Sequence, residues 1–124
     1  MKLANIHEDE RGKIMTLTED MHFPEVTVFI TKAGYARGGC IHNLSDEYTC
    51  VIEGTVEYYL DDKKTLLNTG DNIFIRRETP HYYHSITDSI VIEWGATSEE
   101  KIEKHLSTRK IVNEINNKAE NKQG

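Results

Sequence analysis

Residues 34–54 read "GYARGGCIHNLSDEYTCVIEG", with a glycine at each end, Cys40 two residues before His42, and Glu47 five after it. The β-branched and aromatic residues on either side of the polar "NLSD" segment predict two neighbouring strands, Ala36 to Ile41 and Glu47 to Glu53. In a strand, side chains two apart share a face. Cys40 and His42 therefore point the same way, and Glu47, Thr49 and Val51 share a face while Tyr48, Cys50 and Ile52 take the other. A pairing that sets Glu47 opposite Cys40 and His42 gathers three metal-ligating or acid/base groups inside one fold. Cys50 then faces away, so no Cys40–Cys50 disulfide is expected, and in a reducing compartment both thiols stay free.

Outward from this stretch, short apolar runs alternate with turn residues at a spacing of roughly 8 to 15, the pattern of an all-β sandwich or barrel. Strands are predicted at Ile14–Thr18, Val26–Thr31, Ala36–Ile41, Glu47–Glu53, Thr55–Leu60, Thr65–Leu67, Asn72–Ile75, His81–Ile86 and Ser89–Trp94. After Gly95 the character changes. Thr97 with Glu100 forms a capping box, and residues 98–117 are rich in helix formers with Ile102, Leu106, Ile111 and Ile115 on a loosely shared face. The expected organisation is a β-barrel domain over 1–96, a helical extension over 97–117 with a break near Ser107 and Thr108, and a disordered tail over 118–124.

The 124 residues suffice for one core and leave no room for a separate cofactor domain. A net charge of -6 lacks the basic footprint that nucleic acid or an anionic membrane would require. No apolar run is long enough to span a bilayer and the N-terminus has no signal-peptide core, so a cytoplasmic protein is expected. Ser-His-Asp arrangements, phosphate-cradling glycine loops and dinucleotide fingerprints are missing from the sequence.

A partner for the opening cluster lies in residues 70–85, "GDNIFIRRETPHYYHS": a turn, an apolar strand, a proline, then His81 with Tyr83 on its own face. The combined spacing is Gly34-x5-Cys40-x-His42-x4-Glu47-x6-Gly54, then Gly70-x10-His81. This resembles the two-motif signature of the cupins over roughly Val26 to Ala96. Gly34, His42, Glu47, Gly54, Gly70 and His81 fall on its slots. Cys40 replaces the first histidine of the signature, Arg76 its proline, Glu78 its glycine and Ser85 its asparagine. The resemblance implies a double-stranded β-helix, the cupin jelly-roll barrel; the C-terminal helix is expected to lie on that barrel or on a partner subunit.

His42, Glu47 and His81 make two imidazoles and a carboxylate, a set that binds a divalent first-row ion and leaves positions open. Cys40 would add a fourth, thiophilic ligand. Zinc, iron, nickel or manganese all suit such a site.

A second resemblance comes from Asp9-Glu10-Arg11-Gly12 and from "ARGGCIH", residues 36–42, which are similar to segments of cupins acting on nucleotide-linked keto-sugars, and Glu47 brings the chain closer to the metal-holding, capsule-sugar type. It implies His42 as an acid/base group and Arg11 and Arg37 as anion contacts; in such a reaction His42, His81 or Tyr83, the last a pocket-facing hydroxyl donor or acid, would exchange the proton. Arg76, before the loop to His81, is a third candidate substrate contact.

The function so implied is isomerisation or epimerisation of a keto-sugar by proton transfer beside a carbonyl. The alternatives are a non-catalytic sugar- or metabolite-binding module and a metal-dependent dioxygenase. Small cupins pair sheets across a two-fold axis, so a homodimer through Tyr48, Cys50 and Ile52 is expected. Glu93, in the apolar run "SIVIEWGA", is either buried against an arginine or, more commonly for such a residue, on an edge strand in water. His22, His84 and His105 have no spacing partner and are assigned to the surface.

Overall fold

The computed structural model describes residues 4–17, 25–95 and 103–123. In chain order the strands are β1 (Ala4–Asp9), β2 (Gly12–Thr16), β3 (Val26–Thr31), β4 (Ala36–Ile41), β5 (Glu47–Glu53), β6 (Thr55–Leu60), β7 (Lys63–Asn68), β8 (Asn72–Ile75), β9 (His81–Ser85), β10 (Ser89–Trp94) and β11 (Glu103–Lys104), followed by helix α1 (Leu106–Gln123). They form two antiparallel sheets, one in the order β1-β2-β3-β10-β5-β8 and the other β11-β4-β9-β6-β7. Neither sheet follows chain order, because the chain crosses repeatedly between the two; this is a jelly roll.

Alternation decides what enters the space between the sheets. On β5, Glu47, Thr49 and Val51 are buried while Tyr48 and Ile52 are exposed, as the period of two requires. Val51, Val56, Tyr58, Leu67, Ile75, Tyr83 and Val91 form the inner cluster. At the β5–β6 hairpin Gly54 has φ 98°, and a Cβ there would stand 2.3 Å from the Asp88 carbonyl. Only glycine fits that turn. The outer face of the first sheet carries exposed Tyr48, Ile52, Phe74 and Trp94, with Tyr48 stacked on Trp94 at 5.8 Å.

The second sheet has its outer face covered by α1. Val112 inserts between Ala36 and Tyr82, flanked by Tyr59 and Ile115. This helix departs from the expected one. Residues 97–102, with the Thr97 capping box, lie outside the described residues; Glu103 and Lys104 pair with Ile41 and Cys40 as a strand, and the helix begins at Leu106. The expected break near Ser107 and Thr108 is its first turn, where the Thr108 hydroxyl and the His105 ring are hydrogen-bonded to each other and Thr108 Oγ1 donates to the His105 carbonyl at 3.2 Å.

The helix also runs through the segment expected to be disordered. Ala119 is buried, in a seat that Gly34 leaves open, and the Tyr35 hydroxyl donates to Glu120 Oε2 at 2.7 Å. Polar composition hid these anchors. Removing residues 118–124 is therefore expected to lower stability by about 2 kcal/mol, one charge-assisted hydrogen bond plus a small apolar seat. A urea midpoint unchanged by the truncation would show that this segment is not docked.

Candidate metal centre

Three strands and one loop converge on one end of the barrel interior. Glu47 opens β5, His81 opens β9, and His42 directly follows β4, its carbonyl accepting the Glu78 N–H at 2.6 Å. Glu78 holds φ 67°, a left-handed conformation that glycine adopts freely. The side chains of His42, Glu47 and His81 are all buried, and one ligand atom from each lies within 4.8 Å of the others. His42 Nε2 is 3.0 Å and His81 Nε2 3.6 Å from the same oxygen, Glu47 Oε1.

The donor set fits a metal on two independent grounds. His81 Nδ1 faces the Thr79 carbonyl at 3.0 Å, and a carbonyl can only accept, so Nδ1 carries the proton and Nε2 presents its lone pair towards Glu47. Burial lowers the His81 pKa, which keeps the ring neutral as a ligand must be. Meanwhile Glu47 Oε1, although close to both imidazoles, accepts no hydrogen bond of good geometry and is fully shielded from solvent. A buried carboxylate oxygen in that state is costly, and a cation removes the cost. Among the described residues this is the one group of histidine, cysteine and acidic side chains gathered tightly enough to hold an ion.

Cys40 does not join it. Cys40 pairs with His81 on β9 and lines the same cavity, but its sulfur stays outside the cluster. Burial pushes its thiol pKa up. The expected fourth ligand is thus a small buried side chain beside the site.

The cluster opens into a cavity of about 370 Å³. Tyr83, Arg11 and Arg37 line it. Tyr83 Oη and Thr31 Oγ1 are 3.0 Å apart, and Arg37 Nε donates to the same Thr31 oxygen at 2.8 Å. Either hydroxyl of the Thr31–Tyr83 pair can be the donor, since the Thr31 oxygen can accept from Arg37 and from Tyr83 at once. Tyr83 pKa is raised by burial, so this phenol stays protonated. Arg76 is a correction: Ile75 points inward and is buried, so the next residue turns out to solvent, and Arg76 does not reach the cavity.

Glu93 and Arg109 are among the cavity residues that were not expected. Glu93 sits on β10, an interior strand between β3 and β5, and is buried facing the cavity. Its partner is no arginine but Tyr58, whose hydroxyl donates to Glu93 Oε2 at 2.8 Å. Burial, with the Glu47 carboxylate adding to it, pushes the Glu93 pKa up to about 7. Val91 two residues earlier is a core residue, so the period of two carried the signal. Arg109 is the second: it comes from α1, and nothing in the helix pattern marked it. His84 and His105 are half-buried rather than on the surface, His84 lying 3.3 Å from Glu57, and His22 lies outside the described residues.

The family profile described as the cupin domain matches residues 30–94. The chain belongs to the cupin family. No curated protein sequence matches it. Among solved structures, the capsular polysaccharide assembling protein CapF from Staphylococcus aureus superposes with a TM-score of 0.69 at 16% identity, over 84% of this chain and 32% of that one. KdgF from Halomonas sp. gives 0.66 at 18% identity over 80% and 90%. An RmlC-like cupin from Shewanella frigidimarina gives 0.65 at 18% over 79% and 85%. This cupin spans about a third of the CapF chain, and at such identities the likeness is one of fold. No helix among its described residues is long and apolar enough to cross a membrane.

Proposed function

We propose that this cupin is a metal-dependent isomerase or epimerase that moves a proton beside the carbonyl of a keto-sugar, free or nucleotide-linked. The observation carrying the reading is that a metal-competent cluster and a separate buried acid, Glu93, face one cavity. His42, Glu47 and His81 would hold a divalent ion, which when bound supplies Lewis acidity for a carbonyl oxygen. Glu93, with a pKa near neutrality, suits both taking and returning a proton. Tyr58 fixes its orientation from one side, and Tyr83 offers a hydroxyl proton to a substrate oxygen. That CapF is a capsular polysaccharide assembling protein supports a saccharide over other carbonyl compounds.

The test is deuterium incorporation. Metal-loaded protein incubated in D2O with a panel of free and nucleotide-linked keto-sugars should exchange the hydrogen on the carbon next to the carbonyl, read by NMR. If no member of the panel exchanges above the protein-free rate, proton transfer is not its chemistry.

A further inference from the structure

The arginines lining the cavity are not equivalent. Arg11 is neutralised: its Nε and Nη2 meet Asp9 Oδ2 at 2.9 and 2.7 Å and, although burial works against it, these bonds hold the Asp9 carboxyl well below the usual carboxylate range. Arg37 has no such partner. Only 2% of it is exposed, Nε donates to the Thr31 hydroxyl and Nη2 to the Ile30 carbonyl, and Nη1 is buried with no hydrogen-bond partner among the described residues. Both of its contacts are neutral. Arg109 also has a neutral partner, donating Nη1 to the Gly38 carbonyl at 2.7 Å.

The local sequence places both arginines at the cavity wall. Gly39, at φ 85°, leaves a gap in which a Cβ would stand 2.9 Å from the Arg109 Cα, so α1 can press onto β4 only because residue 39 has no side chain. "RGG", residues 37–39, thereby supplies one guanidinium and admits the other. A buried cation with no carboxylate hydrogen-bonded to it is costly, and an entering anion relieves that cost. The guanidinium fork matches the planar, two-oxygen geometry of a carboxylate. The volume limits the rest of the ligand, because about 370 Å³ is near the lower end of small-molecule pockets.

We infer that the cavity takes a sugar acid of monosaccharide size, its carboxylate held by Arg37 and Arg109 while its hydroxyl and carbonyl oxygens reach the His42–Glu47–His81 cluster. This rests on the keto-sugar reading above and narrows it: the anion is the substrate's own carboxylate, not a nucleotide diphosphate.

Titration calorimetry on the full chain tests it, with D-glucuronate and D-galacturonate set against D-glucose, D-galactose and uridine diphosphate glucose, in metal-loaded and in EDTA-treated protein. The uronates should bind about tenfold or more tightly than the matching neutral sugars, and Arg109→Ala and Arg37→Lys should each remove most of that preference. Arg109 is only half-buried, so Arg109→Ala remains decisive if Arg37→Lys fails to fold. Equal binding of uronate and neutral sugar, tighter binding of uridine diphosphate glucose, or a preference that survives Arg109→Ala would overturn the inference. A uronate preference retained in EDTA-treated protein upholds the anion site even where no deuterium exchange occurs, so the two failures are separable.

Discussion

Glu47→Gln is expected to lower the affinity for a divalent ion by about a hundredfold or more, and His81→Ala to do the same without unfolding the barrel. Outer partners of a metal ligand are each worth about 10- to 100-fold in affinity, so loss of a ligand that also carries the site's charge should reach at least the upper figure. The buried position sharpens the effect, because Glu47 Oε1 is the atom on which both imidazoles converge. Protein purified without an affinity tag and measured by elemental analysis should hold about one equivalent of metal, and the two variants almost none. Cys40→Ser should retain the parent's content, since its sulfur stands outside the cluster. In a thermal melt, metal at about a hundred times its Kd should stabilise the parent by about 2.7 kcal/mol and Glu47→Gln by about 0.4 kcal/mol or less. Equal metal content in parent and Glu47→Gln would sink the centre.

Much of this arrangement was legible from alternation alone. Six strands, β3, β4, β5, β6, β8 and β10, have the predicted bounds, because each is a short run of β-formers between turn residues. Facing on β5 followed as well, which is how Glu47 could be aimed inward from the sequence. What was not legible arises where a local rule meets a distant partner. Period two placed Cys40 with His42 on the cavity side, and both line the cavity, but a shared face does not bring the Cys40 sulfur within reach of the ligand cluster. Arg109 enters the cavity through a helix whose docking depends on Gly39, seventy residues earlier in the chain. The 118–123 segment is polar in composition and yet is fixed by one alanine and one tyrosine–glutamate bond. β1 was missed too: its "ANIHED" carries few β-formers and is held by its hairpin partner β2.

Glu93 connects the cluster to stability. In the metal-free protein its pKa is about 7, against an ordinary value of 4.5. Between those two values the folded state holds a proton that the unfolded state has released, so stability falls as pH rises through this window and stays low above it. The difference of roughly 2.5 units corresponds to about 3 kcal/mol. Glutamine can still accept the Tyr58 hydrogen bond but does not ionise. Glu93→Gln should therefore exceed the parent by about 3 kcal/mol near pH 8, with the advantage vanishing below about pH 4; urea unfolding at a series of pH values in the presence of EDTA reads this directly. A metal ion beside Glu47 would favour the ionised carboxyl and flatten the parent's slope. The same substitution should cost about a hundredfold or more in deuterium exchange, the usual worth of a general base. Stability gained together with exchange lost is the signature of a carboxylate kept buried for its chemistry, whereas a pH-independent difference between parent and variant would mean that Glu93 titrates alike in the folded and unfolded protein, so that burial does not hold its proton near neutrality.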